Sequence, residues 1–170
     1  AADYLFVGNQ DVLDAGMYCI INVHHDTGAD EELAWLVASP DGYERAKDRY
    51  ESLWKQIAER FRDYDQRLLF ESYNEMLDEG RSWCFASLSL GYDAEVAAGA
   101  YKAINDYAQS FVDVVRATGG NNSVRNLVVN TYGACNGAGD WNPHLLDPLK
   151  NMRMPSDKVK DHIIFQVHSY

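Results

Sequence analysis

An α/β fold of parallel strands is predicted by two observations on this 170-residue sequence. Short apolar runs of strand length recur, and amphipathic helical patterns alternate with them. Strands that are joined through helices run parallel, and their crossovers are right-handed. Aliphatic and aromatic residues fill the runs, as is typical of strands covered on both faces. The runs are YCIINV (18–23), RLLFES (67–72), NLVVN (126–130) and HIIFQV (162–167).

The first part of the chain carries two helical patterns. NQDVLDAGM, residues 9–17, has the pattern of the tail of a helix that ends before the first strand. DGYERAKDRYESLWKQIAERF, residues 41–61, spaces its apolar side chains three to four apart, which predicts an amphipathic helix. Asp41 is the expected N-cap of that helix, and Trp54, within its apolar stripe, is expected in the core.

The second half continues the alternation. A helix is predicted from Asp93 to the pair Gly119-Gly120, a typical C-terminal signal. The connection at 143–161 contains three prolines and leaves room for a short helix only. Neither a linker nor a repeat interrupts the pattern, so residues 1–170 are expected to form one domain, a fragment of a larger fold.

Composition limits the partners. The formal charge of −11 argues against nucleic acid or an anionic membrane as partner and suits a neutral substrate. Cys19, Cys84 and Cys135 are far apart and lack a C-x-x-C spacing, so they are interpreted as packing residues rather than as disulfide or zinc ligands. An apolar content of 46% is enough to fill a core.

Two architectures fit this order of elements, a doubly wound sheet and part of a (β/α)8 barrel. No Gly-rich phosphate loop follows a strand, which disfavours a nucleotide-binding doubly wound sheet. Functional groups that converge from several strand ends on one rim are typical of the barrel, so the predicted fold is a partial (β/α)8 barrel. The side chains at the strand ends are Asn22, His24, His25, Asp26, Asn74, Glu75, Asn130, Tyr132, His168 and Tyr170.

FESYNEML, residues 70–77, carries two glutamates with different predicted roles. Glu71 lies inside the apolar run, where a buried carboxylate is expected to be structural and to need a cationic partner. Glu75 lies at the rim, directly after Asn74 and before two apolar residues, which favours a general acid.

The histidines at the strand ends are candidates for metal ligands or for polar contacts. Neighbouring side chains of a strand point to opposite faces, so His24 and His25 are not expected to share a metal ion. His168 and Tyr170 are two residues apart, share a face and are expected to reach into one site. We predict neither a metal nor another cofactor.

INVHHD, LLFESYNEM and FQVHSY together resemble glycoside hydrolase family 5, which contains many cellulases, and within it the endo-β-1,4-glucanases and xyloglucanases. The likeness covers nearly the whole chain, and it implies that the four runs are strands three to six of the barrel. By this resemblance Glu75 is the general acid/base and Asn74 binds the sugar 2-hydroxyl. His24 would contact the sugar at the cleavage subsite, with His25 as a less certain neighbour.

The resemblance also implies roles at the other strand ends. His168 and Tyr170 would position the substrate and the catalytic carboxylates. Trp35 and Trp141, in loops after the first and third strands, are candidate stacking surfaces for a neutral sugar, and Trp83 is a weaker one.

The implied reaction is internal hydrolysis of β-1,4-glucan (cellulose, mixed-linkage glucan or xyloglucan) by a retaining double displacement. That mechanism needs two carboxyl groups about 5–5.5 Å apart. The nucleophilic glutamate of the family ends strand seven, so it is expected to lie outside this chain. The nearby acids do not match its position: Asp26, Asp78, Glu79 and Asp140.

Two other interpretations stay open. The chain alone can be a catalytically incomplete half barrel that only binds glucan or associates with itself through open strand edges. An unrelated α/β enzyme with coincidental motifs is disfavoured because three motifs match in register. The family resemblance further implies a secreted or periplasmic protein that binds a β-glucan polysaccharide or oligosaccharide, with neither nucleic acid nor membrane as partner.

Overall fold

The computed structural model describes residues 10–83, 91–140 and 142–169. Its strands are β1 (Cys19–Asn22), β2 (Leu68–Glu71), β3 (Leu127–Cys135) and β4 (Ile163–His168). Its helices are α1 (Pro40–Arg60), α2 (Ala94–Ala117) and the short α3 (Asp147–Asn151), with a 3-10 helix at Gly120–Ser123. A helical segment at residues 10–14 precedes β1, as predicted.

The strands form one sheet in the order β1-β2-β3-β4, and every neighbouring pair is parallel. Asn22 is in register with Glu71, and Glu71 is in register with Val128. Asn130 is in register with Gln166 on the last strand. Because all four strands run the same way, their C-terminal ends meet at one edge of the sheet. The predicted α/β order is confirmed, although β3 continues well beyond its apolar run, to Cys135.

The N-cap predicted for α1 is wrong by two residues. Ser39 caps the helix, and its hydroxyl accepts a hydrogen bond of 2.9 Å from the backbone N–H of Gly42. Pro40 takes the first helical position, where its missing N–H costs nothing and its fixed φ suits the helix. Asp41 therefore lies in the first turn, where its charge is favourable at the helix N-terminus.

Trp54 lies in the core between α1, α2 and the sheet, as predicted. Its side chain is fully buried, with ring centroids 5.7 Å from Phe70 and 4.6 Å from Phe111. The indole N–H donates to the backbone oxygen of Ser72 at 3.1 Å, and the Tyr50 hydroxyl donates to the same oxygen. The ring packing of Trp54 and these two hydrogen bonds thus fix the backbone directly after β2.

α2 begins after Asp93, where the predicted range starts, and ends before the predicted stop at Gly119-Gly120. The Asp93 side chain accepts from the backbone N–H groups of Glu95 and Val96. After Ala117 the chain turns through Gly119 at φ 68°, a left-handed conformation that glycine adopts without strain. The predicted stop at Gly119-Gly120 is confirmed.

Arg125 holds the opposite, N-terminal end of the sheet together. Its side chain is buried, and it donates to the backbone oxygens of Phe61, Tyr64, Asp65 and Leu68 at 2.7–3.0 Å. Burial lowers the pKa of this guanidinium to about 10. Arg125 therefore stabilises the end of the sheet that lies away from the predicted site residues.

Two of the three cysteines can be placed. Cys19 is half-buried and Cys135 is buried, whereas Cys84 lies outside the described residues. In the ranges that the structure covers, no helix is long and apolar enough to cross a membrane.

Candidate active site

Glu75 and His168 meet at the C-terminal edge of the sheet. The Nδ1 atom of His168, at the end of β4, lies 2.7 Å from Oε1 of Glu75. Both side chains are mostly buried, with exposed fractions of 13% for Glu75 and 21% for His168. The fold thus brings two of the predicted site motifs into direct contact, although they are far apart in sequence.

The segment that presents Asn74 and Glu75 is held from both neighbouring strands. The backbone N–H of Asn74 donates to the oxygen of Val23, after β1, at 3.1 Å. On the other side Asn130 donates from Nδ2 to the backbone oxygens of Tyr73 and Asn74, at 3.0 and 3.2 Å. The Tyr73 hydroxyl donates in turn to the backbone oxygen of Asn130 at 3.1 Å. These contacts fix the backbone on which the predicted acid/base is carried.

Asn22 connects the first strand to the same site. Its Nδ2 atom lies 3.3 Å from Oε2 of Glu71 and 3.2 Å from Nδ1 of His24. The rings of His24 and His25 lie edge to face with centroids 5.0 Å apart, and both side chains are exposed. His24 is therefore oriented by a neighbouring amide, while His25 lies beside it.

Glu71 is a buried carboxyl that differs sharply from Glu75. It is 4% exposed, and its Oε1 atom has no hydrogen-bond partner among residues 10–83, 91–140 and 142–169. Burial raises the pKa of Glu71, while the hydrogen bond from Asn22 and the interaction with His168 oppose that rise only in part. The predicted buried location is observed, but within these ranges Asn22, not a cation, is its partner.

Trp35 is half-buried in the loop after β1. Its indole N–H donates to Oδ1 of Asp26, and the Arg49 guanidinium lies over its ring at 3.9 Å from the centroid. Part of the Trp35 ring is thus already covered. Sugar stacking on Trp35 stays a prediction. Trp83 is exposed, whereas Trp141 and Tyr170 lie outside the described residues.

Three of the four nearby acids already have structural partners. Asp26 holds the Trp35 indole, and Asp78 accepts from the Tyr132 hydroxyl at 3.0 Å. Glu79 pairs with Arg45 at 2.6 Å, and the hydrogen bond from Arg45 lowers the pKa of Glu79. These contacts assign structural work to each carboxylate. Asp140, the fourth, is exposed.

The side chains that the structure describes do not gather into a metal site. Within that part of the chain, no group of three or more His, Cys, Asp and Glu side chains has the geometry to hold an ion. The polar contacts at the sheet edge are instead hydrogen bonds between amides, imidazoles and carboxyls.

The family model described as "Cellulase (glycosyl hydrolase family 5)" matches residues 9–170. The chain belongs to glycosyl hydrolase family 5. The family predicted from the three motifs is thereby confirmed, and so is the partial (β/α)8 barrel, since solved family 5 structures superpose on nearly the whole chain.

Relatives within family 5 act on β-glucans according to their names. A xyloglucan-specific endo-beta-1,4-glucanase of Bacteroides ovatus is 37% identical over 159 residues, which are 93% of this chain and 27% of that protein. A broad-specificity endoglucanase from an uncultured bacterium is 55% identical with a TM-score of 0.92, covering 98% of this chain and 45% of that one. This chain spans less than half the length of the relatives it matches.

A third relative has been solved with a glucan bound. A family 5 enzyme of Prevotella bryantii, in complex with a xyloglucan tetradecasaccharide, is 46% identical with a TM-score of 0.84. The match covers 98% of this chain and 43% of that chain.

Sequence reasoning missed the supporting amides of this family 5 site. Asn22 and Asn130 were recognised as strand-end residues but not as partners of Glu71 and of the Asn74 backbone. Gln166, whose amide lies 3.4 Å from Nε2 of His168, was not singled out at all. Period-two spacing from His168 was the available signal, because it places Gln166 on the same face of β4.

Proposed function

We propose that residues 1–170 form part of one catalytic domain that cleaves β-1,4-glucan internally with retention of configuration. The contact between Glu75 and His168, 2.7 Å long, carries this proposal, because it joins the two motifs of the expected acid/base centre. Endoglucanase and xyloglucanase names among the relatives support the substrate class.

In this proposal Glu75 protonates the leaving oxygen while a second carboxylate attacks the anomeric carbon. After the leaving sugar departs, Glu75 takes a proton from the water that hydrolyses the glycosyl-enzyme. The second carboxylate is proposed to come from outside these 170 residues. Inside them, Asp26, Asp78 and Glu79 are committed to structural partners.

Glucan is proposed to bind along the C-terminal edge of the sheet. Asn74 would bind the sugar 2-hydroxyl, with His24 and His25 beside it, because these side chains follow β1 and β2 at the same edge. Trp35, Trp141, His168 and Tyr170 are proposed to complete the binding surface. A net charge of −11 suits a neutral polysaccharide.

The substitution Glu75→Gln in the full-length enzyme tests the assignment. We expect hydrolysis of soluble cellulose to fall about 100-fold or more, the usual contribution of a general acid/base. Glu79→Gln is the matched control, because Glu79 is an exposed carboxylate of the same loop that pairs with Arg45. Substantial glucan hydrolysis by Glu75→Gln would remove Glu75 from the mechanism.

A second candidate function concerns the 170 residues by themselves. The edge strands expose apolar side chains, Ile20 on β1 and Ile164, Phe165 and Val167 on β4. We infer that the isolated chain is a half barrel that associates with itself and at most binds glucan. A monomer by light scattering that also hydrolyses glucan would exclude this function.

A further inference from the structure

Gln166 contacts the ring nitrogen of His168 that does not face Glu75, the proposed acid/base. It precedes His168 by two residues on β4, so the two side chains project from one face of the strand. Its Nε2 atom lies 3.4 Å from Nε2 of His168, and the other ring nitrogen of His168 contacts Glu75 at 2.7 Å. A contact of 3.4 Å is long for a hydrogen bond, so this orientation of the amide gains little.

Two side-chain amide oxygens, one on β3 and one on β4, need a hydrogen-bond donor. Oε1 of Gln166 and Oδ1 of Asn130 are both buried, and neither has a hydrogen-bond partner in the described part of the chain. The orientation of Asn130 is fixed, because its Nδ2 donates to the backbone oxygens of Tyr73 and Asn74. Leaving a buried acceptor without a donor costs about 1–3 kcal/mol.

Rotating the terminal amide of Gln166 by half a turn gives each of these two oxygens a hydrogen-bond donor. Asn130 and Gln166 are register partners on adjacent parallel strands, which lie about 4.8 Å apart. After the half-turn Oε1 faces His168 and accepts its Nε2–H, while the NH₂ group faces β3 and can donate to Oδ1 of Asn130. The two ends of a glutamine amide have nearly the same shape, so the hydrogen-bond network decides between them.

This orientation determines where His168 carries its proton. With Oε1 of Gln166 as acceptor, the proton of a neutral His168 lies on Nε2, and Nδ1 keeps its lone pair. For neutral His168, the 2.7 Å contact then has Glu75 as the donor, which is the protonated form that a general acid needs. We propose that Gln166, held by Asn130, is a positioning residue that keeps His168 in this tautomer and so supports the acid form of Glu75.

The proton that Glu75 gives to the substrate is replaced by one from water. Glu75 gives its proton to the leaving oxygen in the first step, and water returns one to it in the second. While Glu75 is ionised, its carboxylate faces the lone pair on Nδ1 of His168, which favours uptake of the water proton. His168 neither gains nor loses a proton in this cycle.

Other titratable groups face the same part of the sheet. Glu71 lies on β2 and interacts with His168, and His24 follows β1 and contacts Asn22. On β3, Cys135 is the register partner of His168, and Tyr132, two residues after Asn130, donates its hydroxyl to Asp78. A change at Gln166 therefore reaches Glu75 through His168.

Gln166→Met in the full-length enzyme tests the proposal, which rests on the proposed function. An aryl cellobioside with a dinitrophenolate leaving group needs no protonation, whereas an unsubstituted cello-oligosaccharide does. We expect kcat/KM to fall about tenfold on the oligosaccharide and to change less than about twofold on the aryl substrate. The alkaline limb of the pH profile on the oligosaccharide should move to lower pH.

The controls separate this proposal from the proposed function. Gln56→Met replaces an exposed glutamine of α1 and should leave both substrates unaffected. Gln166→Asn keeps an amide that is one methylene too short, and it should show the same selective loss if Gln166→Met does not fold. Equal losses on both substrates, or no loss and an unmoved pH profile, would overturn the role of Gln166. Full activity of Glu75→Gln on the oligosaccharide would instead overturn the proposed function.

Discussion

Glu71 and Glu75 belong to one short stretch, yet their surroundings give them different chemistry. Glu71 projects from β2 into a buried position beside Asn22, and burial raises its pKa. Glu75 follows the strand end and reaches His168. A carboxyl that is buried next to an amide is more stable in its neutral form, whereas a carboxyl at the open edge of the sheet can meet substrate.

Glu71→Gln is expected to change how the stability of the 170-residue chain depends on pH. Because the folded pKa of Glu71 is raised, the folded state holds its proton above pH 4.5, where the unfolded state has lost it. The wild type should therefore lose stability as pH rises from 4.5 through the folded pKa, and the variant should not. Urea unfolding from pH 4 to pH 8 measures this, with a gap of about 1 kcal/mol or more in favour of the variant at the upper end.

Glu59→Gln, at an exposed glutamate of α1 paired with Lys55, is the control and should leave the pH dependence unchanged. A stability difference between wild type and Glu71→Gln that is the same at every pH would contradict the assigned cause.

At the scale of elements, α2 is tied to the segment that leads into β4 by one ion pair. Arg116 donates to both carboxylate oxygens of Asp157, with the shortest contact 2.7 Å from Nη2 to Oδ2. The side chains are 11% and 5% exposed. Burial by itself would raise the pKa of Asp157, but the hydrogen bonds and charge of Arg116, together with the backbone N–H groups of Val159 and Lys158, outweigh it and hold the pKa below its ordinary value.

Asp157→Asn should therefore destabilise the chain at neutral pH and have no effect in acid. The contribution of Asp157 is complete above its unfolded pKa of 3.8 and is lost as pH falls through the lower folded pKa. We expect a loss of about 2–4 kcal/mol at pH 7 from chemical denaturation, because the substitution leaves a buried guanidinium without its partner.

Asp106→Asn provides the comparison for this pair. Lys102 and Asp106 form an exposed pair on the same helix, and such pairs contribute about 0.5 kcal/mol or less. An equal effect of the two substitutions would show that burial of the Asp157 pair adds nothing.

At the scale of the whole molecule, the described strands form part of a barrel wall in which β1 and β4 have no outer neighbour among the described residues. β1 and β4 are the outer strands of the sheet, and both carry exposed apolar side chains. Unpaired parallel edges offer backbone donors and acceptors to any further strand, so association is expected wherever those edges are left open.

Val167→Lys should reduce self-association of the isolated chain. Val167 is 39% exposed on the edge strand β4, where a charge opposes pairing with another strand. Light scattering across a concentration series should show wild-type oligomers and a variant shifted toward monomer. Val124→Lys, at an exposed valine after the 3-10 helix, should behave as wild type. A wild-type chain that stays monomeric at high concentration would contradict the half-barrel interpretation.

Much of the fold could be predicted because its signals are local. Apolar runs, helical periodicity and the Gly119 turn all act within a few residues, and each is observed. The N-cap at Ser39 was missed because a polar residue also follows Pro40, and only the position of the proline decides between them. The extension of β3 was missed because its residues beyond Asn130 are not a plain apolar run.

The sequence by itself determined the strand-helix alternation, the family and the residue types at the sheet edge, because these depend on local pattern and on motif order. Only the tertiary structure decided that His168 meets Glu75, that Asn22 meets Glu71, and that Asn130 is the register partner of Gln166. The physical reason is register: side chains from different strands become neighbours only when parallel pairing sets their heights along the sheet, and no single strand carries that information.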